Sequence, residues 1–240
     1  MSGHSKWATI KRQKGAADTK RGLTFTKLSN AITIAVKRGG GVTNPDQNFR
    51  LRLAIAAARS ANMPKENVER AIKRAVGRGE GAVEEVVYEG FAKGGVSVIV
   101  EAATDNTQRT TSEIKSIFNK EGGTFGQPGS VAYQFENLGR IIIKREQKSY
   151  AEIFDLAVES GAEDIEEVGD EVFIYTAPLA LSKVKDKLLE LGLLITEVEL
   201  VKEPIVTVPI SDIGDREKII SFLHKLEDLD DVQKVYSNLE

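Results

Sequence analysis

Apolar residues in the first third of the chain recur at intervals of three and four, which is the spacing of one face of an α-helix. Phe25, Leu28, Ile32 and Val36 follow this spacing, and three consecutive glycines end the run. The pattern predicts a first helix over 23–38. Basic residues in the last turn support this C-terminal boundary, because their positive charge offsets the negative end of the helix dipole.

Two more helices are predicted before the pattern changes. The second is expected to take Asn44 as its N-cap, with Pro45 at the first helical position and Gln47 completing a capping box. It should run to about Ser60, and a third helix is predicted over 64–76. These three helices form one small helical domain.

After a glycine-rich linker at 77–81 the pattern becomes alternating, which is typical of half-buried strands. The order predicted from the linker onward is strand-strand-helix, then a longer mixed set, then strand-helix-strand. The predicted strands are 83–91, 96–102, 131–136, 140–145, 164–168, 171–176, 194–201, 205–210 and 232–237. The predicted helices are 107–121, 149–160, 178–191 and 214–227.

The order of these elements predicts an insertion. The segments 83–121 and 205–237 cannot each bury a sheet alone, but together they form one α+β layer. The predicted fold class is therefore α+β, with a basic three-helix N-terminal domain and two ferredoxin-like α+β domains, one inserted into the other. The predicted parts are a flexible basic arm (1–22), a three-helix domain (23–80), a discontinuous middle domain (81–129 and 204–240) and an inserted domain (130–203). Two consecutive domains, 82–145 and 146–240, are the alternative.

Charge divides the chain more sharply than its total indicates. The 240 residues carry a net charge of −3, yet residues 1–80 carry +12 and residues 81–240 carry −15. Such a split indicates a polyanionic partner for the basic end. The chain has no cysteine, which excludes disulfides, thiolate nucleophiles and cysteine-based zinc sites. With no long apolar run and no signal-like segment, a soluble cytoplasmic protein is expected.

The first 22 residues are the strongest candidate for binding that polyanion. They contain few apolar residues, so burial cannot offset their ordering entropy, and they should be mobile until a partner binds. Trp7, the only tryptophan, and His4 suit stacking on bases or hydrogen bonding to them. The cations predicted to contact phosphates are Lys6, Lys11, Arg12, Lys14, Lys20, Arg21 and, in the first helix, Lys27. A solvated tail without a function is the alternative.

Catalytic and ligand-binding patterns are weak elsewhere. His4 and His224 lie far apart in sequence, so no Ser-His-Asp arrangement is indicated. The acidic run at 163–171 lacks the spacing of a calcium loop and is better interpreted as a solvated rim. Asp105 or Asn106 is expected to cap a helix, and Arg109 beside them is a candidate for binding a phosphate. No enzyme activity, cofactor or metal is predicted.

Several short motifs together resemble the YebC family. They are Gly3-His4-Ser5-Lys6-Trp7, Ile10-Lys11, Lys14-Gly15, Ala61–Asn67, Glu69–Ile72, Tyr88-Glu89-Gly90, Thr104-Asp105-Asn106 with Arg109-Thr110, and Gly129-Ser130-Val131. The resemblance extends from residue 3 to the last strand and implies a three-domain fold with a helical N-terminal domain. No catalytic residues are known for the family.

The resemblance implies two kinds of function. The family is generally labelled as probable DNA-binding transcriptional regulators, but it also includes a mitochondrial translational activator of cytochrome oxidase. Its bacterial members resemble ribosome-associated factors that relieve stalling at proline-rich stretches. The favoured hypothesis is a non-enzymatic translation factor that contacts ribosomal RNA or tRNA on the ribosome. A DNA-binding transcriptional regulator is the alternative, since the helices at 45–60 and 64–76 are close enough for a helix-turn-helix. The sequence leaves the oligomeric state open.

Overall fold

The computed structural model describes Trp7 and residues 21–77, 83–146 and 148–240, with side chains from residue 25 onward in the first helix. This chain divides into two compact units. One is Phe135–Ile205, and the other combines the described residues up to Gln134 with Val206–Glu240. The order of helices and strands is mixed, and the α+β fold class predicted from the sequence is confirmed.

Three helices open the larger unit: α1 (Arg21–Arg38), α2 (Phe49–Ser60) and α3 (Lys65–Val76). Helices α2 and α3 pack mainly against α1 and make few contacts with each other. Their shared core is small and aliphatic. Its fully or nearly fully buried members are Ile32, Ala35, Val36, Leu51, Ile55, Ala58, Met63, Val68 and Ala71.

The predicted start of the second helix is wrong. Residues 45–47 form a turn, in which the Asn44 side chain accepts from the Asp46 N–H at 3.0 Å. The N-cap is Asn48, whose Oδ1 accepts from the Leu51 N–H at 3.1 Å. Its Nδ2 also donates to the carbonyls of Ala35 and Val42, both at 3.0 Å. Asn48 is the N-cap because its buried side-chain amide forms hydrogen bonds with backbone groups of α1, of the following turn and of α2. The Asn44 side chain is exposed.

A four-stranded antiparallel sheet completes the larger unit. Its strands are β1 (Glu84–Phe91), β2 (Ser97–Thr104), β3 (Thr124–Phe125) and β8 (Val232–Ser237), in the order β3-β1-β2-β8. Helices α4 (Thr107–Lys120) and α7 (Ile213–Glu227) supply much of its core. Strand β8 follows β2 by more than a hundred residues and pairs directly with it.

Residues Phe135–Ile205 form the second unit around a sheet of order β5-β6-β4-β7, also antiparallel. The strands are β4 (Phe135–Lys144), β5 (Asp164–Val168), β6 (Glu171–Thr176) and β7 (Ile195–Pro204), and the helices are α5 (Tyr150–Ser160) and α6 (Leu181–Glu190). Each helix connects two strands separated by a third, which is the split βαβ arrangement of a ferredoxin-like fold.

Two strand predictions in this half of the chain are wrong. The strands predicted at 131–136 and 140–145 are a single strand, β4, preceded by a short 3₁₀ turn. Gly139, in the predicted gap, pairs with strands on both sides. A Cβ at this position would lie 2.6 Å from Thr176 Oγ1 and 2.8 Å from Leu181, so close packing requires the glycine.

The strand predicted at 205–210 is reduced to one parallel bridge, between Val208 and Leu239. Prolines at 204 and 209 flank this bridge. Since proline has no N–H to donate, it interrupts a ladder of backbone hydrogen bonds. The two-residue strand β3, in the glycine-rich loop after α4, was not predicted.

Candidate nucleic-acid interface

Most of the predicted arm lies outside the described residues. This applies to His4, Lys6, Lys11, Arg12, Lys14 and Lys20. Arg21 is the first residue of α1, and only its backbone is described. The structure therefore gives no positions for the side chains that were expected to contact phosphates in this segment.

Trp7 is the exception, and its position corrects the expectation of a stacking ring. The side chain is 2 % exposed and belongs to the core formed by the first sheet, α4 and α7. Its Nε1–H donates to the Val235 carbonyl at 3.0 Å, and its ring meets the His224 ring edge-on, with centroids 4.9 Å apart. A ring enclosed in this way is not available to stack on a base. The sequence near Trp7 did not predict this burial, because its contacts with His224 and Val235 span more than 200 residues.

Lys27 is also engaged within the fold. Its Nζ donates to the backbone carbonyl of Glu227, the last residue of α7. The C-terminal carbonyls of a helix carry partial negative charge, so a lysine ammonium is well placed there. This contact ties α1 to α7, and the side chain is half-buried.

Several other cations of the helical region also hold the fold together. Arg38 Nε lies 2.6 Å from Glu85 Oε2, and Lys37 Nζ donates to the Val83 carbonyl at 2.8 Å. Arg74 donates to Asn30 Oδ1 at 2.7 Å, and Asn30 Nδ2 in turn donates to the Ala103 carbonyl of β2 at 3.3 Å. These cations connect the helices to the first sheet.

A second set of cations has no such role. Its members are exposed on α2 and α3, and none makes an ion pair with a carboxylate of the described residues. They are Arg50, Arg52, Arg59, Arg70 and Lys73. Arg52 lies over the Phe49 ring, with its guanidinium carbon 5.5 Å from the ring centroid, an arrangement that leaves its hydrogen-bond donors open. Guanidinium and ammonium groups without carboxylate partners are suited to nucleic-acid phosphates.

Arg109 lies in a very different environment. Its guanidinium is 2.9 Å from Asp231 Oδ2 and 3.1 Å from Asp105 Oδ1, at the start of α4. The hydrogen bond to Asp231 and the negative charges nearby raise the pKa of Arg109. As predicted, a side chain of this segment caps the helix: Asn106 Oδ1 accepts from the Arg109 N–H at 3.0 Å.

The cleft beside Arg109 is predominantly acidic. It has a volume of about 520 Å³ and includes two cations, Arg74 and Arg109. Its carboxylates are Asp105, Glu113, Asp228, Asp230 and Asp231. A phosphate approaching Arg109 would have to displace Asp231 and enter a field of like charge, which is unfavourable. Burial lowers the pKa of Arg74, while the charge of Asp105 opposes that shift.

Asp231 is held by three donors at once. Thr110 Oγ1, Arg109 and Thr104 Oγ1 lie 2.6, 2.9 and 3.0 Å from its Oδ2. Burial alone would raise the pKa of Asp231, but these hydrogen bonds outweigh burial and lower it. The polar segment at 104–111 is therefore a structural joint between α4 and β8.

The motifs Tyr88-Glu89-Gly90 and Gly129-Ser130-Val131 contact each other in the fold. The Glu89 carboxylate accepts from the Gly129, Val131 and Ala132 N–H groups, at 2.7, 2.7 and 2.9 Å. A Cβ on Gly90 would lie 2.4 Å from the Phe118 ring. The residue types of both motifs thus follow from packing and from backbone hydrogen bonding.

Two further findings apply to the described part of the chain. It contains no cluster of three or more His, Cys, Asp or Glu side chains arranged to hold a metal ion. Among its helices, none has both the length and the apolar character needed to cross a lipid bilayer.

Comparison with known proteins gives matches along nearly the whole chain. Residues 5–78 match a family model described as the TACO1/YebC protein N-terminal domain. Residues 83–239 match one described as the TACO1/YebC second and third domain.

Proteins named as probable transcriptional regulatory proteins are similar over the full length. The one from Dictyoglomus thermophilum is 50 % identical, with 100 % of this chain and 96 % of the relative aligned. The one from Thermotoga maritima is 49 % identical, covering 100 % of this chain and 94 % of the relative. A crystal structure of a conserved hypothetical protein from Aquifex aeolicus superposes with a TM-score of 0.90 at 46 % identity, covering 98 % of this chain and 97 % of that one.

Proposed function

Because the chain belongs to the TACO1/YebC family, we propose that it is a non-enzymatic, nucleic-acid-binding regulator of gene expression. In the favoured form of this proposal it is a cytoplasmic, ribosome-associated translation factor. It contacts ribosomal RNA or tRNA and relieves stalling at proline-rich stretches. The names of the relatives support regulation of gene expression. The ribosomal role rests on the resemblance of the sequence motifs.

One observation carries the nucleic-acid part of the proposal. The helices α2 and α3 expose cations that no described carboxylate neutralises, whereas the cleft at Arg109 is lined by carboxylates. Phosphates would therefore be attracted to one region and repelled from the other. The unplaced cations Lys6, Lys11, Arg12, Lys14, Lys20 and Arg21 extend the basic segment in sequence and belong to the same proposal. Trp7 and Lys27 act by positioning that segment, since both are engaged with the C-terminal part of the unit.

The exposed face of α3 argues against a helix-turn-helix complex with DNA. As the second helix of such a pair, α3 would enter the major groove. Its exposed residues include Glu66 and Glu69 among the cations. Two carboxylates on that face would meet the phosphates that line the groove. Both helices are also held chiefly by α1 instead of by each other.

Co-sedimentation with ribosomes at increasing salt tests the proposal. The purified protein should pellet with ribosomes at moderate salt and be released as salt rises, because phosphate contacts displace counterions. The double variant Arg59→Ala, Arg70→Ala should dissociate at lower salt, whereas Lys218→Ala, which removes an exposed lysine on α7 outside the proposed interface, should behave as the wild type. A translation reporter with a proline run should lose its stimulation with the same double variant. Failure of the wild-type protein to pellet with ribosomes would refute the ribosomal role.

The alternative is a DNA-binding transcriptional regulator, which the names of the relatives favour. Phosphate contacts alone give sequence-independent binding, with Kd of roughly 10⁻⁴–10⁻⁶ M. A regulator should prefer its site by about 10³-fold or more. Competition between promoter fragments and random duplex measures this ratio, and equal binding to both would exclude the alternative.

A further inference from the structure

A small groove lies between α1 and α3, on the basic side of the larger unit. Its volume is about 230 Å³. The residues that line it include Phe25, Ser29, Met63, Asn67 and Arg70. Pockets for drug-sized ligands usually have about 300–1,000 Å³, so this one suits a group no larger than a single planar ring.

Two of the residues that line the groove, Phe25 and Met63, are apolar, and the others are polar or charged. Met63 is 7 % exposed, and Phe25 is half-buried against the helical core. Ser29 and Asn67 are partly exposed at the rim, and their side chains make no hydrogen bond with the rest of the described chain. The groove therefore places hydrogen-bonding groups beside a small apolar surface, and a planar ring with a polar edge can use both.

The charge at this rim favours one kind of occupant. The Arg70 guanidinium is exposed there without an ion pair, although Glu66 lies one helical turn away. Arg74, which also lines the groove, is already held by Asn30 and Thr33. An open cation beside a small groove that contains an aromatic ring and hydrogen-bonding side chains matches a base with its adjoining phosphate.

From these features, and resting on the function proposed above, we propose that this groove binds one unpaired base of a single-stranded RNA segment. The base lies against Phe25 and Met63, with Ser29 and Asn67 hydrogen-bonding to its edge. Arg70 binds the neighbouring phosphate. A paired base cannot enter, because its edges and faces are covered by the duplex. The groove therefore makes the protein prefer single-stranded over double-stranded RNA.

The test compares a short single-stranded RNA of mixed sequence with the blunt duplex made from it. The double variant Ser29→Ala, Asn67→Ala should lose about fivefold or more in affinity for the single strand and keep its affinity for the duplex. Arg70→Ala should weaken single-strand binding and lower its salt slope by about 0.7. Arg59→Ala, outside the groove, should weaken binding to both RNAs equally, and Lys218→Ala should change neither.

A second measurement identifies the site directly. A photoreactive residue at position 67 should crosslink to the single strand, whereas one at position 218 should not. Circular dichroism melting of each variant verifies folding, and Asn67→Ser is available if the double variant does not fold. Equal loss of affinity for both RNAs, unchanged binding to the single strand, or no crosslink at position 67 would overturn the proposal.

Ribosome co-sedimentation of the same variants separates this proposal from the function above. If the wild type pellets with ribosomes but the groove variants bind RNA normally, the groove proposal fails and the translation role stands. If the groove variants lose their single-strand preference but the wild type does not pellet, the groove is confirmed and the ribosomal role fails.

Discussion

Trp7 is the only tryptophan in the chain, so its fluorescence reports on one contact. Because the ring is buried and its Nε1–H is bonded to Val235, we expect a blue-shifted emission that acrylamide quenches poorly. RNA should leave this emission nearly unchanged, since a buried ring does not stack on bases. Quenching by RNA comparable to that of an exposed indole would restore the stacking role.

The same residue should contribute strongly to stability. Trp7→Ala should lower the free energy of unfolding by about 3–5 kcal/mol, through loss of packing and the cavity that remains. Trp7→Phe keeps most of the packing but removes the hydrogen bond, and should cost about 1–3 kcal/mol. Urea unfolding followed by circular dichroism measures both values. A loss under about 1 kcal/mol for Trp7→Ala, the range of ordinary surface substitutions, would contradict this position of the ring.

At the scale of single elements, Asn48 holds together the start of α2, the end of α1 and the turn between them. Asn48→Ala leaves two carbonyls and one N–H without their partner, and we expect a loss of about 2–4 kcal/mol of stability. Asn44→Ala is the matched control, because Asn44 is exposed and bonds only within its own turn. It should cost under about 1 kcal/mol. Thermal unfolding of both variants makes the comparison, and equal losses would show that Asn48 is not the dominant cap.

The contribution of Asp231 to the joint between α4 and β8 should depend on pH. Its pKa is lowered in the folded protein, so its contribution to stability is complete above the ordinary aspartate pKa of about 3.9 and is lost as the pH falls through the lowered value. Asp231→Asn should therefore show a smaller drop in stability below that pH than the wild type. The control is Asp155→Asn, an exposed carboxylate on α5 with no ion pair or hydrogen bond to described side chains. Urea unfolding at a series of acidic pH values measures the difference, and parallel curves for wild type and Asp231→Asn would refute it.

Local signals predicted most of these elements, and long-range contacts account for the errors. Helices α1, α4 and α7 and strand β8 lie close to their predicted ranges, because periodicity and capping are properties of neighbouring residues. The gap predicted between strands 131–136 and 140–145 was wrong, and the glycine within it, Gly139, is required by close contacts with Thr176 and Leu181 on other elements. The burial of Trp7 depends on Val235 and His224, which no local window contains. The positive charge of the candidate interface could be predicted from the sequence. Which cations form ion pairs could not, because that depends on where the carboxylates lie in the fold.

At the scale of the whole molecule, the larger unit depends on both ends of the chain. Its core includes Trp7 together with Ile219, Phe222, Leu226 and Val235 from the C-terminal stretch. A truncation after Ile205 removes α7 and β8 and leaves β2 without one neighbour. We expect this truncation to expose Trp7 to acrylamide and to abolish cooperative unfolding of the larger unit. Near-ultraviolet circular dichroism and quenching measure both effects. Native-like protection of Trp7 in the truncated chain would contradict the dependence.

The pairing of β8 with β2 has a consequence for the order of events during synthesis. A ribosome making this protein releases Trp7 and β2 early, but the strand that covers them is among the last segments to emerge. Contacts between distant parts of a chain form late, since a long loop must close before they contribute. Part of the core of the nascent N-terminal half therefore stays uncovered until β8 has been synthesised. Residues 135–205 contain all the strands of their own sheet and can complete it sooner. An unfinished copy released by premature termination would lack the covering strand. Such a copy would be exposed to proteolysis, so that full-length chains are the ones that persist.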